Sequence, residues 1–158
     1  MKTSYYLVPV DFSSVTLNAL ISACEFFKNE NPVIIAMHVV SKKSERAAAH
    51  TKMDEMLAQV PAEFRDYIEP RVIVGDLFSD IARAVDFYGA RTVVMGTHGA
   101  RGMQKIFGSN ALKLVGSTSC PFIILQDQVK LEKLEHIVMP YNFEKESIQI
   151  VSYAAFLA

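Results

Sequence analysis

The chain has 158 residues, of which 51% are hydrophobic and 21% charged, a balance typical of one folded domain and not of a disordered chain. Its 16 basic and 17 acidic side chains give a net charge of −1, so no overall positive field favours nucleic acid or an anionic membrane, although a local basic patch stays open. The longest apolar stretches, such as residues 32–40, are too short for a membrane span, and residues 1–4 lead into a strand rather than a signal sequence. We therefore expect a cytoplasmic protein with neither a nucleic-acid nor a membrane partner.

The chain begins with an alternation of strand and helix patterns. Residues 5–10 predict a strand, which Asp11 closes. Ser13 or Ser14 can cap a helix whose apolar residues recur on one face. Residues 33–40 then predict a second strand.

The same alternation continues through the middle of the chain. Residues 47–60 predict a second helix, which Pro61 interrupts or restarts. Residues 67–74 predict a third strand. Ser79 is the predicted cap of a third helix, and Gly89 its end.

The most informative segment is a glycine-rich stretch that follows the next strand pattern. Residues 92–95 form a short apolar, β-branched run that predicts a fourth strand covered on both faces and ended by Gly96. Gly99, Gly102 and Gly108 follow, and glycine allows a backbone to reach positive φ or to approach a ligand closely. The glycine spacing matches neither the P-loop nor the dinucleotide motif G-x-G-x-x-G.

A predicted helix start lies at the end of this stretch. Ser109 or Asn110 can cap the helix, whose first backbone N–H groups and dipole would favour an anion. Arg101 and Lys105 add positive charge nearby. The segment therefore predicts a phosphate-binding loop, with a surface turn that binds nothing as the alternative.

Residues 121–125 predict a fifth strand. Five strands separated by four helices predict an α/β fold with a doubly wound, five-stranded parallel sheet, Rossmann-like, with helices on both faces. In such sheets ligands bind beyond the carboxyl ends of the strands, at a switch point in strand order. Asp11 and Gly96 each follow a predicted strand at such an end.

The last part of the chain repeats the pattern of its beginning. Residues 136–144 have the pattern of residues 5–13, and a helix pattern follows as it does there. We therefore predict a domain over residues 1–126, a linker over residues 127–135 and, over residues 136–158, a partial repeat comprising the first strand and helix of a second domain. A lone strand and helix cannot bury their apolar faces, so we expect the natural protein to be longer. The alternative is an appendage that packs on the first domain or on another chain.

The cysteines and histidines carry no metal-binding spacing. Cys24 and Cys120 lie in apolar surroundings without a CxxC motif, so two reduced, packed thiols are expected. His38 lies in a strand pattern and His50 in a polar helix pattern, which makes a zinc site improbable.

Five segments, in this order, resemble the universal stress protein family: residues 8–13, 36–40, 74–76, 94–109 and 120–122. The resemblance covers residues 1 to about 126, with a second copy beginning near His136 as in tandem members. It implies a sheet of order 3-2-1-4-5 and, in one branch of the family, ATP bound across the ends of the first and fourth strands. That branch has G-x-x-G, nine residues and then G-S/T, whereas eight residues separate Gly99 from Gly108 here. The shorter loop leaves two outcomes open, a loop path eased by the glycine at 102 or a displaced helix start that spoils the phosphate site.

The resemblance also implies roles for single residues around the nucleotide. Asp11 would lie beside the ribose and adenine, with Pro9 and Val10 lining the same wall. Val39 would offer backbone groups to the adenine edge, and Met95 would pack beneath the nucleotide. The alternatives are a helix-capping or solvated Asp11, and ordinary core positions for Val39 and Met95.

The phosphates would meet mainly backbone amides and a hydroxyl of the glycine-rich segment, at Gly96, Gly99, Gly108, Ser109 and Asn110. We include Arg101 in the predicted site for its charge. His98 is expected to contact backbone or phosphate, and we assign no catalytic residue and no metal site to the chain.

Two classes of function follow as hypotheses. The first is a stress-response regulatory module that binds ATP, with Mg²⁺ alongside it, and hydrolyses it slowly or not at all. The second is an enzyme, an ATPase or a nucleotidyl-transfer relative, in which Arg101, Lys105 and His98 stabilise phosphate charge. A stress protein with a degenerate pocket, acting only through protein contacts, is a further alternative. We also expect a homodimer, formed through the edge of the fifth strand or by a swapped C-terminal tail.

Overall fold

The computed structural model describes residues 2–97, 113–126, 135–139 and 147–157. Its strands are β1 (Ser4–Pro9), β2 (Pro32–Val40), β3 (Ile68–Val74), β4 (Thr92–Thr97) and β5 (Phe122–Gln126). Its α-helices, numbered here in chain order, are α1 (Ser14–Phe27), α2 (Arg46–Ala58), α3 (Leu77–Tyr88) and α4 (Ser147–Leu157). Three short 3₁₀ helices cover Lys28–Glu30, Lys43–Glu45 and Ala62–Tyr67.

The five strands form one parallel sheet of order β3-β2-β1-β4-β5, as predicted. The chain moves to one side of β1 through β2 and β3 and then returns to pair β4 with β1 on the other side. The switch point in strand order therefore lies between β1 and β4, where the fold class places its ligands.

Apolar side chains fill both faces of this sheet. One cluster joins α1 and α2 to the sheet through residues such as Leu20, Phe27 and Met53. The other joins α3 to the opposite face through residues that include Leu7 and Ile81. Strands β1, β2 and β4 are thus covered on both faces, which explains their continuous apolar runs.

The helix ends follow local hydrogen-bonding chemistry, with one difference from the prediction. Ser13 is the N-cap of α1 and accepts a hydrogen bond from the Thr16 N–H at 3.3 Å. The predicted cap of α3 at Ser79 is wrong, because Asp76 is the N-cap and its carboxylate accepts from the Ser79 N–H at 3.0 Å. Gly89 ends α3 with φ of 60°, as predicted.

The prediction that the fourth strand ends at Gly96 is wrong. The strand continues to Thr97, and Gly96 is the register partner of Leu125 in β5. The neighbouring strand supplies backbone partners for the extra residues, which a pattern read from β4 alone does not contain.

Helix α4 packs on the first domain, whereas residues 135–139 are exposed. Residues 136–139 are not in a strand, which differs from the predicted repeat of β1, whereas Ser147–Leu157 is helical. The Tyr153 hydroxyl lies 2.6 Å from the hydroxyl of Thr92, and the Arg91 guanidinium lies 4.1 Å from the centre of the Phe156 ring. These contacts agree with an appendage on the first domain, and the division into domain, linker and partial repeat stays a prediction.

Both cysteines are free and buried. Burial raises the pKa of Cys24 to about 12 and that of Cys120 to about 11. The neutral thiol is therefore the dominant form of each at neutral pH, as expected for packed thiols and not for reactive ones.

Candidate functional site

The carboxylate of Asp11 is held in one orientation at the carboxyl end of β1. Its Oδ1 accepts hydrogen bonds from the Ser13 N–H and from the Thr16 hydroxyl, each at 2.9 Å. The Asp11 N–H in turn donates to Thr16 Oγ1 at 3.3 Å. The first turn of α1 thus fixes this acidic group in place beside the end of the strand.

The second strand runs past the end of the first. The register of β1 with β2 ends at the pair Pro9 and Met37, and one further bond joins the Val10 N–H to the Met37 carbonyl at 2.9 Å. Alternate residues of a parallel strand direct their backbone groups to the same neighbouring strand. Val39 lies two residues after Met37, so its N–H and C=O point to the same side of β2 as those of Met37, the side on which β1 lies. The backbone of Val39 therefore faces the space just beyond the end of β1.

A groove of about 540 Å³ lies at this place. Its walls come from the ends of β1 and β2, the following loop and the first half of α2, and its lining includes Asp11, Phe12, His38, Val39, Glu45 and Lys52. The structure thus brings together two of the predicted nucleotide-binding residues, Asp11 and Val39. A groove of this size can take a nucleoside-sized ligand.

The Glu45 carboxylate supports the loop between β2 and α2. It accepts hydrogen bonds from the Lys42 N–H at 3.1 Å and from the Ser41 hydroxyl at 3.2 Å. This acidic side chain therefore holds one wall of the groove in shape.

Three other predicted site residues lie in the core. Pro9 is buried, and the side chains of Val10 and Met95 are 4% and 1% exposed. Met95 packs in the same cluster as Leu7 and Ile81. In the described structure these side chains shape the strands beneath the site, and contact with a ligand would fall to their backbone groups.

Close packing excludes a side chain at position 96, which explains the glycine there independently of any ligand. A Cβ atom at this position would lie 2.6 Å from the Val15 carbonyl oxygen and 2.9 Å from the carbonyl carbon. The missing side chain thus allows β4 to approach the first turn of α1 closely.

The other predicted phosphate contacts lie outside the described residues. They are His98, Gly99, Arg101, Gly108, Ser109 and Asn110. Their assignment as nucleotide-binding residues stays a prediction.

Phe12 and His38 are among the groove residues that sequence reasoning missed. Phe12 has φ of 67°, and its ring centre lies 4.2 Å from that of His38. His38 Nδ1 lies 2.7 Å from the Val10 carbonyl oxygen. The sequence offered only the weak signal of a histidine near the end of a strand, because the ring pair joins residues that are far apart in the chain.

Two features are absent from the parts of the chain that the structure describes. No helix there has both the length and the apolar character needed to cross a membrane. Within those same ranges, no group of three or more histidine, cysteine, aspartate or glutamate side chains is arranged to hold a metal ion.

A parallel sheet of order 3-2-1-4-5, with a groove at the ends of β1 and β2, defines a doubly wound α/β domain. The model of the universal stress protein family matches residues 6–126. The chain belongs to that family. A comparison with curated protein sequences found no match.

Several solved structures share the fold. A universal stress protein from Archaeoglobus fulgidus DSM 4304 is 22% identical with a TM-score of 0.74; the match covers 99% of this chain and 63% of that one. A universal stress protein in complex with cAMP is 19% identical with a TM-score of 0.63, over 78% of this chain and 96% of that one. Another universal stress protein structure from Archaeoglobus fulgidus, in complex with dAMP, is 18% identical with a TM-score of 0.58, over 78% of this chain and 97% of that one.

Proposed function

We propose that this protein is a nucleotide-binding regulatory module of the stress response and that its ligand is ATP. The observation that carries the proposal is the groove at the ends of β1 and β2, where Asp11 is held in one orientation and the backbone of Val39 faces the opening. The cAMP and dAMP complexes of two universal stress proteins support an adenine nucleotide as the ligand class.

In this proposal the parts of the nucleotide meet different elements. The adenine edge meets the backbone of Val39, and the ribose hydroxyls donate to the Asp11 carboxylate, an acceptor whose position α1 already fixes. The phosphates extend toward the segment from Gly96 to Ser109, with Mg²⁺ bound to them. The ligand would thus connect the first strand to the fourth across the switch point.

We propose that hydrolysis is slow or absent. Rapid phosphoryl transfer needs a group that positions the attacking water. The described carboxylate nearest the end of β1, Asp11, instead accepts two hydrogen bonds from its own helix turn, which suits orientation rather than proton transfer. The alternative is an ATPase or nucleotidyl-transfer enzyme that uses His98, Arg101 and Lys105.

Phosphate release from saturating Mg²⁺-ATP separates these two functions. The regulatory module is expected to release less than about one phosphate per minute, far below the typical enzyme turnover of about 10 per second. A rate within tenfold of that typical value would favour the enzyme and contradict slow hydrolysis.

We also propose that the protein forms a homodimer in the cytoplasm. Strand β5 is one of the two edges of the sheet, so one side of its backbone has no strand partner within the sheet, and its Ile124 side chain is 44% exposed. This edge can pair with a second copy. Exchange of α4 between two copies would preserve its contacts with Thr92 and Arg91 and is the other route to a dimer. Two free, buried thiols fit a reducing compartment.

Light scattering after size-exclusion chromatography tests the dimer at micromolar concentration. We expect twice the mass of the chain, and Ile124→Lys is expected to give the monomer mass if the β5 edge is the interface. A strictly monomeric wild-type protein would contradict both routes.

A further inference from the structure

The backbone at Phe12 adopts a conformation that its residue type disfavours. Among the described residues, Phe12 and Asn31 are the non-glycine positions with positive φ, at 67° and 50°. Asparagine tolerates this left-handed region, whereas a bulky side chain such as phenylalanine costs free energy there. Strain of this kind persists where surrounding contacts impose it, and it concentrates at binding sites.

Phe12 packs against the core cluster on the α1 side of the sheet, and its ring also contacts His38. The Val10 carbonyl can only accept, so His38 Nδ1 carries the proton and donates across 2.7 Å. This bond fixes the imidazole ring, which then packs against the Phe12 ring at 4.2 Å between centres and at an angle of 38°. The two rings thus form one aromatic surface with a fixed position.

This aromatic surface belongs to the groove. Phe12 and His38 both line it, together with Asp11 and Val39, and both are half-buried. A half-buried flat ring that lines a groove together with a fixed acceptor and a strand backbone matches the chemistry of a nucleobase, which has an apolar face and a polar edge.

We propose that the Phe12 ring, positioned by His38, is a base-stacking surface that determines how strongly the groove holds a nucleobase. The proposal rests on the proposed function and adds a specificity-determining side chain to it. This role explains why a phenylalanine occupies a position that disfavours it, because glycine or asparagine would make the same turn without placing a ring in the groove.

The test compares Mg²⁺-ATP with inorganic tripolyphosphate, which lacks the base and the ribose. Phe12→Gly keeps a residue suited to φ of 67° and removes the ring, so we expect it to weaken ATP binding about tenfold, as loss of one base-stacking contact does. Its tripolyphosphate affinity is expected to stay within twofold of wild type. Phe12→Tyr keeps a ring and is expected to recover most of the lost ATP affinity.

Phe87→Ala is the matched control, because Phe87 is 82% exposed on α3, which packs on the other face of the sheet. It is expected to bind ATP as wild type does. Circular dichroism establishes that each variant is folded at the titration temperature. If Phe12→Gly does not fold, His38→Gln decides, since it keeps an N–H donor for Val10 and removes the ring that contacts Phe12. It is expected to weaken ATP binding and to leave tripolyphosphate affinity within twofold of wild type, and unchanged ATP affinity would overturn the inference.

Three results would overturn the inference in distinguishable ways. Wild-type ATP affinity in the folded Phe12→Gly variant would show that the ring contacts no base. Equal weakening of ATP and tripolyphosphate would mean that Phe12 only shapes the turn. Absence of ATP binding to the wild-type protein would instead refute the proposed function, and the base-stacking role with it.

Discussion

Replacing Gly96 with alanine is expected to lower the free energy of unfolding by about 2 to 3 kcal/mol, the upper range for overpacking a dense interior. The new Cβ would lie 2.6 Å from the Val15 carbonyl oxygen, a backbone atom that cannot swing away as a flexible side chain can. Strand β4 and helix α1 would have to separate, and both belong to the packed centre of the fold. Urea denaturation followed by circular dichroism measures the change, since the chain has no tryptophan.

Gly89→Ala is the control for the general cost of replacing a glycine. Gly89 has φ of 60° and nothing within 4 Å of the added Cβ, so the substitution strains the backbone without a collision. We expect a loss of about 1 kcal/mol. If Gly96→Ala cost no more than this control, the close approach of β4 to α1 would be contradicted.

The second large effect is expected from Asp11→Ala, which should weaken Mg²⁺-ATP binding at least tenfold, or by at least about 1.4 kcal/mol. The substitution removes the acceptor proposed for the ribose, together with the two bonds that organise the turn after β1. Asp11→Asn keeps a carbonyl oxygen and is expected to lose less. Calorimetric titration of each variant measures the affinity.

Asp76→Ala separates a ligand contact from a helix-capping effect. Asp76 follows β3 and caps α3 through the Ser79 N–H, and these hydrogen bonds hold the pKa of its carboxyl below the ordinary value. Its loss is expected to reduce the melting temperature and to leave ATP affinity unchanged. Equal loss of affinity in the two alanine variants would contradict a ribose contact at Asp11.

Local sequence signals predicted most of the fold. The apolar runs identified the five strands, and the serine at 13 was among the predicted caps of α1 because a hydroxyl can bond the third N–H of a helix. The start of α3 was ambiguous, since Asp76 and Ser79 are both good caps three residues apart. Leu77 and Phe78 pack against the core, which favours the earlier start.

Local sequence signals could not predict the features that depend on contacts between residues far apart in the chain. The extension of β4 beyond Gly96 follows its pairing with β5, and the Phe12 ring contacts a histidine in the neighbouring strand β2. Residues 136–139 copy the pattern of β1, but a strand also needs a neighbour that supplies backbone partners, which the pattern does not contain. At the candidate site, Asp11 and Val39 were predicted through the family resemblance, whereas the aromatic pair beside them was not.

Calorimetric titration of nucleotide-free protein with Mg²⁺-ATP tests the central claim most directly, because it measures binding without assuming a reaction. We predict saturable binding with about one site per chain. Absence of both heat and binding across a range of temperatures would contradict the proposal and would place the function of this protein in contacts with other proteins.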